Sequence, residues 1–338
     1  MDGVDVVRGL NPEKKPRRGL VLGGGGLLGI AWMTATLDAY EKATGWDARD
    51  AEVLVGTSAG SILSGFLACG IATKDLMSHQ LGEPTPDLGD IDLDYDTAGG
   101  GSLPPRPSFI PGSRGLLWNV ARHPRKVPPL VAAMALLPAG KGSLVEVRGV
   151  IDAVNPHPDG WAPHPNTWIV TMDYDLGRRV VFGKGSAPVT PLSSAVVASC
   201  SIPAWFEPVT INGRRYVDGG TCSPTSLDLL ASRGLDEVIV LAPMCSYEFD
   251  QPDSVIEKLE RRVRKQWTRR LTKEAMKVRA SGTRVTLITP GPEDLEAIGF
   301  NVMDPKRRRN VLATAQRTAQ ARFSTLGDVD ESEQSAVG

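Results

Sequence analysis

The sequence predicts an α/β fold, a three-layer α/β/α domain with a mostly parallel central sheet. Short apolar runs at Gly19–Leu22 and Ala51–Val55 end at glycine-containing turns and pass straight into helix-like stretches, Leu27–Tyr40 and Ser61–Cys69. Strands followed immediately by helices imply parallel pairing. Further apolar runs of strand length recur at Thr167–Asp173, Val238–Ala242 and Arg284–Ile288. The composition, 41% hydrophobic and 23% charged over 338 residues, is that of a globular chain able to bury one large core.

Met1–Arg18 reads as a polar tail. Lys14, Lys15, Arg17 and Arg18 ahead of the uncharged run Gly19–Leu37 imitate a secretory leader. The run holds four consecutive glycines, Gly23–Gly26, each costing about 1 kcal/mol relative to alanine in a helix, so a buried strand-turn-helix is expected instead. Asp75–Arg148 is rich in Pro and Gly and reads as an irregular or loosely helical, lid-like insertion. Its charge is segregated, with seven acids and no bases up to Pro105, then seven bases and one acid from Arg106. Thr167–Asp173 and Arg178–Phe182 read as two strands around a turn, and Ser193–Ser199 as a helix. Val209–Ile211 and Arg214–Val217 flank Asn212-Gly213, the strongest short hairpin signal in the chain. In Val255–Ala280, ten Lys or Arg stand against three Glu, and Ile256, Leu259, Val263, Trp267 and Leu271 recur at helical spacing. The expected organisation is a tail over 1–18, one domain over 19–325 containing the 75–148 insertion and the 255–280 basic helix, and an acidic tail over 326–338.

Several function classes are disfavoured by composition. The four cysteines are widely spaced and form no CxxC, which suggests neither a zinc site nor a disulfide framework. Asp90, Asp92, Asp94 and Asp96 alternate as calcium ligands would, but Tyr95 and Gly101 stand where an EF-hand loop needs glycine and glutamate, so a solvated acidic loop is expected. No metal and no cofactor is expected. A formal charge of -1 argues against nucleic acid as a partner. That total is nevertheless a cancellation of acidic segments against three basic ones. Contact with an anionic membrane surface therefore stays open, at the basic helix or at Arg106–Arg148, with plain core packing as the alternative for each. The apolar run Val127–Ala139, at 13 residues, is too short to span a bilayer. The expected location is the cytoplasm, with peripheral contact at the inner membrane face left open.

The chemistry concentrates in three motifs. Gly56, Thr57, Ser58, Ala59 and Gly60 match GxSxG between an apolar strand and a helix, the context in which a tight turn holds a nucleophilic serine clear of the backbone. Gly24, Gly26 and Gly29 satisfy GxGxxG, but Asp50 and Glu52 precede the second strand instead of ending it, and no Walker lysine follows. The competing reading is an oxyanion hole built from the backbone N–H groups of Gly24, Gly25 and Gly26. A nucleophilic Ser58 needs a base. The four histidines, His79, His123, His157 and His164, all lie in the first half of the chain, whereas an α/β-hydrolase places its histidine last. A carboxylate is the better candidate, and Asp218, followed by Gly219 and Gly220, supplies one. With an ordinary pKa of about 3.9 it would need burial beside Ser58 to serve as a base.

GGGGLLG, GTSAG and DGG in this order, with ASCSIPAWFEPV at Ala198–Val209, resemble the signature elements of the patatin-like phospholipase family. The likeness covers roughly Gly19–Ala242, with the middle section unmatched. It implies the three-layer fold, a Ser58–Asp218 dyad, an oxyanion hole at Gly24, Gly25 and Gly26, and motif glycines at Gly29, Gly56, Gly60, Gly219 and Gly220. It also implies metal-independent hydrolysis of lipid esters, of phospholipase A or lysophospholipase type. The basic residue usual before the last glycine of the first motif is Leu28 here, which puts head-group preference in question. The residues alone leave two other readings open: a Ser-His-Asp esterase of another type, and a non-catalytic lipid-binding protein on the same fold.

Overall fold

The computed structural model describes residues 15–85, 88, 111–123, 125 and 127–334. Asp90, Asp92, Asp94, Asp96, Arg106, Phe109 and most of the N-terminal tail lie outside the described residues. The strands are β1 (Arg18–Leu22), β2 (Val53–Thr57), β3 (Thr167–Asp173), β4 (Arg178–Phe182), β5 (Val209–Ile211), β6 (Arg214–Asp218), β7 (Glu237–Leu241) and β8 (Arg284–Ile288). The helices are α1 (Gly26–Thr44), α2 (Ala59–Ala68), α3 (Thr73–Leu81), α4 (Arg114–Arg122), α5 (Pro129–Met134), α6 (Val145–Val154), α7 (Leu192–Cys200), α8 (Val255–Arg279), α9 (Pro292–Ile298) and α10 (Arg308–Gln334).

The strand sequences are apolar without alternation because both faces of the sheet are covered: β2, β3 and β7 are buried throughout. Strand order is β5-β6-β3-β2-β1-β7-β8, with β4 paired to β3 off this path. β3, β2, β1, β7 and β8 run parallel, and β4, β5 and β6 are antiparallel additions. Leu20, Leu22, Leu54, Ile169 and Leu241 face α1, α2, α7 and α10, whereas Val21, Val55, Val170 and Val240 face Leu271, Ala275 and Val278 of α8. The result is the predicted three-layer α/β/α fold.

One detail of pairing positions everything that follows. β4 occupies one edge of β3, so β2 and β6 share the other. β2 runs parallel to β3 and ends with Thr57 opposite Val170, while β6 runs antiparallel and ends with Asp218 opposite Thr171. The C-terminal ends of the two strands thus meet head-on.

Two expectations gain detail and one is corrected. The 75–148 segment carries the helices α4 and α5, whose Leu116, Val131 and Ala135 pack on Met172, Tyr174 and Val217. Helices of six and nine residues lean on such tertiary contacts for their stability. The backbone of α10 stays helical through residue 326, where the acidic tail was expected to begin. In α8 the predicted apolar stripe packs only at its end. Ile256 and Leu259 are each 59% exposed, and the buried face instead carries Arg261, Arg264, Thr268, Leu271, Glu274, Ala275 and Val278. Arg264 binds Pro243 O just beyond the end of β7, so the residues before it project toward the C-terminal edge of the sheet, where Arg261 is anchored on Leu295 O. Among the described residues, no helix is long and apolar enough to cross a membrane.

Backbone approaches backbone where β1, β2 and α2 meet. A Cβ on Gly60 would stand 2.0 Å from Leu22 O, and one on Gly219 2.4 Å from Val170 O. Neither neighbour can move without breaking the sheet. Gly60→Ala and Gly219→Ala should each destabilise the protein by about 2 kcal/mol or more in equilibrium urea unfolding. A change within about 0.5 kcal/mol, the range of ordinary surface substitutions, would contradict this packing.

Candidate active site

Ser58 sits at the turn between β2 and α2 with φ 52° and ψ −124°, a left-handed conformation costing a non-glycine residue on the order of 1–3 kcal/mol. Several contacts hold it there. The Ser58 N–H donates to Ser199 Oγ at 2.8 Å, and Ser199 Oγ donates to Val170 O at 2.6 Å, tying the turn to β3. Ser61 Oγ donates to Ser58 O at 2.6 Å. The tight turn needs glycine on either side: a Cβ on Gly56 would lie 2.6 Å from Ser61 Cα, and Gly60 has no room for one.

Asp218 meets Ser58 through the head-on strands. Ser58 is 7% exposed and Asp218 6%. Burial pushes the Asp218 carboxyl up to about 6, against the opposing pull of hydrogen bonding from the Ser58 side chain and the Gly220 N–H. Gly220 N donates to Asp218 Oδ1 at 2.7 Å, and Thr221 Oγ1 donates to Asp218 O at 2.7 Å, which fixes the carboxyl at the start of a 3₁₀ turn. The carboxylate is therefore a stronger base than an exposed aspartate and is still ionised at neutral pH.

The glycine loop lies against the serine, since a Cβ on Gly24 would stand 3.3 Å from Ser58 Cβ. One of the three expected oxyanion donors is corrected. The Gly24 N–H is spent on Pro224 O at 2.8 Å and is unavailable to a ligand. Among the described residues, the N–H groups of Gly25 and Gly26 meet no protein acceptor, nor does that of Ala59 at the start of α2. They belong to the first turns of α1 and α2, whose N-terminal dipole ends both favour negative charge here. Sequence reasoning missed Ala59, although the residue after a nucleophile-turn serine is a general oxyanion donor.

An apolar cleft of about 810 Å³, its open mouth included, runs from Ser58, Gly26 and Ala59 between Leu27, Ile62, Phe66, Leu76, Val147 and Ile151. Its lining suits a hydrocarbon chain. Besides Ser58, Gln80 and Thr34 line it with polar side chains, joined by a 2.9 Å hydrogen bond.

The histidines are elsewhere. His164 Nε2 lies 2.7 Å from Ala51 O and its Nδ1 3.1 Å from Thr167 Oγ1, at the N-terminal end of β2 and β3, roughly 20 Å of strand from Ser58. Burial lowers its pKa. His79, His123 and His157 do not line the cleft. Leu28 is fully buried in the core, so position 28 presents no charge to the site, and its N–H is held by Val302 O.

The profile of the patatin-like phospholipase family matches residues 20–231. The chain belongs to this family. Hydrolysis of lipid acyl esters is the activity class that membership carries, and a lipid is the substrate class. The crystal structure of VipD from Legionella pneumophila aligns over 92% of this chain and 67% of that one, with 13% identity and a TM-score of 0.45.

Because the folded pKa of Asp218 is raised above its unfolded value, its contribution to stability is fully present below about pH 4 and is lost as pH rises through about 6. Asp218→Asn escapes that loss. Its stability relative to wild type, measured by urea titration, should rise between pH 5 and pH 8 by on the order of 1 kcal/mol. A pH-independent difference would mean that the carboxyl is not perturbed.

Proposed function

We propose that this patatin-like protein cleaves the carboxylic ester of a phospholipid or lysophospholipid through a Ser58–Asp218 dyad. The observation that carries the reading is a strained serine at the head of an apolar cleft, hydrogen-bonded to a buried carboxyl of raised pKa and flanked by N–H groups without a protein acceptor among the described residues. In this mechanism Ser58 Oγ attacks the ester carbonyl carbon while its proton passes to the Asp218 carboxylate. The carbonyl oxygen becomes an oxyanion held by the N–H groups of Gly25, Gly26 and Ala59, and the acyl chain lies in the cleft. Collapse breaks the C–O bond, and the departing alcohol takes the proton from Asp218. Water then gives a proton to Asp218 as it attacks the acyl-serine. The second collapse frees the fatty acid and returns that proton to Ser58.

A base that must be ionised gives the pH profile its acid limb. On a soluble short-chain ester, kcat/KM should fall about tenfold per unit below about pH 6. Ser58→Ala should abolish both turnover and labelling by a fluorophosphonate, Asp218→Asn should lower kcat by about a hundredfold or more, and His164→Ala should leave both intact. Labelling that survives in Ser58→Ala, or activity lost in His164→Ala, would remove the dyad. A wild-type protein that binds lipid but never reacts with the probe would be a lipid-binding member of the fold.

We also infer peripheral contact with an anionic membrane surface through the projecting part of α8. Val255, Ile256 and Leu259 are exposed there beside Lys258, Arg262 and Lys265, and none of the helix's three glutamates is exposed. An apolar strip flanked by bases is the pattern of an interfacial helix, and it lies at the edge of the sheet that carries Ser58. Ile256→Glu with Leu259→Glu should reduce sedimentation with phosphatidylglycerol vesicles at least about fivefold. Equal wild-type binding to phosphatidylcholine and phosphatidylglycerol vesicles would exclude the electrostatic part.

A further inference from the structure

The glycine loop of the cleft is propped from behind by α8, on the opposite face of the sheet. Two separate supports reach it. In the first, the ring of Pro243 is packed so closely on the loop that a Cβ on Gly25 would stand 2.6 Å from Pro243 Cγ, and one on Gly29 3.3 Å. Pro243 is in turn held by Arg264, whose side chain is completely buried and whose Nη1 donates to Pro243 O. The remaining charge of that guanidinium is met by Glu260, one helical turn back, at 2.7 Å from Nη2 and 3.0 Å from Nε.

In the second, Pro224 O accepts the Gly24 N–H at 2.8 Å. The residues around Pro224 are gathered on the buried carboxylate of Glu274. Ser223 Oγ donates to its Oε1 at 2.8 Å, and Thr225 Oγ1 and Leu227 N donate to its Oε2 at 3.1 and 3.0 Å. Arg270 closes the cluster from the same helix. A helix whose buried face were chosen for core packing alone would carry leucines at these positions. Burying an ion pair rarely adds stability over apolar side chains of the same volume. What these charges do provide is geometry, a fixed place for the Pro243 ring and the Pro224 carbonyl that set the loop.

We propose that Arg264 and Glu274 are positioning residues that hold the Gly25 and Gly26 N–H groups at the distance an oxyanion requires, Arg264 through Pro243 and Glu274 through Pro224. The inference rests on the oxyanion role proposed for that loop. Neither side chain lines the cleft, so neither touches substrate. Hydrogen-bond donors aimed at a developing charge lose their effect steeply when displaced, so small relaxations of the loop should appear in kcat and not in KM.

The experiment measures kcat and KM on a soluble short-chain ester, with active sites counted by end-point fluorophosphonate labelling of Ser58. Arg264→Gln, Glu274→Ala and Pro243→Ala should each lower kcat about tenfold with KM within about twofold, while Lys273→Ala, exposed on the same helix, should change neither. Arg264→Gln combined with Pro243→Ala should be no slower than the slower single variant, because both act through one prop. Arg264→Gln combined with Glu274→Ala should multiply to about a hundredfold, because the props are separate. The acid limb near pH 6 should stay in place in every variant. Wild-type kcat per active site in a folded single variant, multiplicative losses for the Arg264 and Pro243 pair, or a displaced acid limb would overturn the proposal. If Arg264→Gln fails to fold, Arg264→Lys, which keeps the charge but loses the fixed guanidinium fork, replaces it, and the same tenfold loss of kcat is expected. Activity surviving in Ser58→Ala would instead overturn the reading of the site.

Discussion

The candidate site depends on how one edge of β3 is shared. A parallel neighbour, β2, pairs as far as Val170, and an antiparallel neighbour, β6, takes over at Thr171. Two chain ends that are 160 residues apart in sequence are thereby brought together, with no freedom to slide. A register slip of one residue would turn every side chain of β6 to the other face and carry the Asp218 carboxyl with it. The glycines around the junction follow from the same constraint. With Gly60 against Leu22 O and Gly219 against Val170 O, both strand ends run into backbone, and side chains there would force the ends apart.

That geometry also governs the electrostatics. An aspartate at the end of an edge strand would be solvated and weakly basic. Here the sheet, α7 and the 3₁₀ turn close over Asp218, and the cost of burying its charge is what raises its pKa. The same exclusion of water strengthens any dipole aimed at the site, and two helix N-termini provide such dipoles. Exclusion of water thus raises the Asp218 carboxyl and strengthens the field around Ser58 together.

Much of this was legible from residues alone. The strands at Thr167–Asp173, Arg178–Phe182, Val209–Ile211 and Arg284–Ile288 were readable to the residue because their apolar runs end at turn formers. Ser58 and Asp218 were legible because a strained turn and a crowded strand end both demand glycine, and glycine can be seen in a sequence. The spent N–H of Gly24 was not legible, since its acceptor is a carbonyl 200 residues away. The periodicity of α8 misled for a related reason. Hydrophobic spacing finds the face that packs only when the buried face is apolar, and here that face carries Arg261, Arg264 and Glu274, each bonded to at least one group off the helix. The short helices before Gly142 fall in a segment read as irregular or loosely helical, and contacts with β3 and β6 sustain them.

The family match ends at residue 231, ahead of β7. Yet β7 lies inside the sheet between β1 and the edge strand β8, Leu241 O takes the Gly23 N–H, Val302 O takes that of Leu28, and Met303 lines the cleft beside Gly26. The matched segment is accordingly not a unit of folding. A fragment cut at residue 231 would keep every motif by which the family is recognised and would leave β1, the strand that feeds the glycine loop, as a bare sheet edge. In this chain, the part outside the family match completes the part inside it.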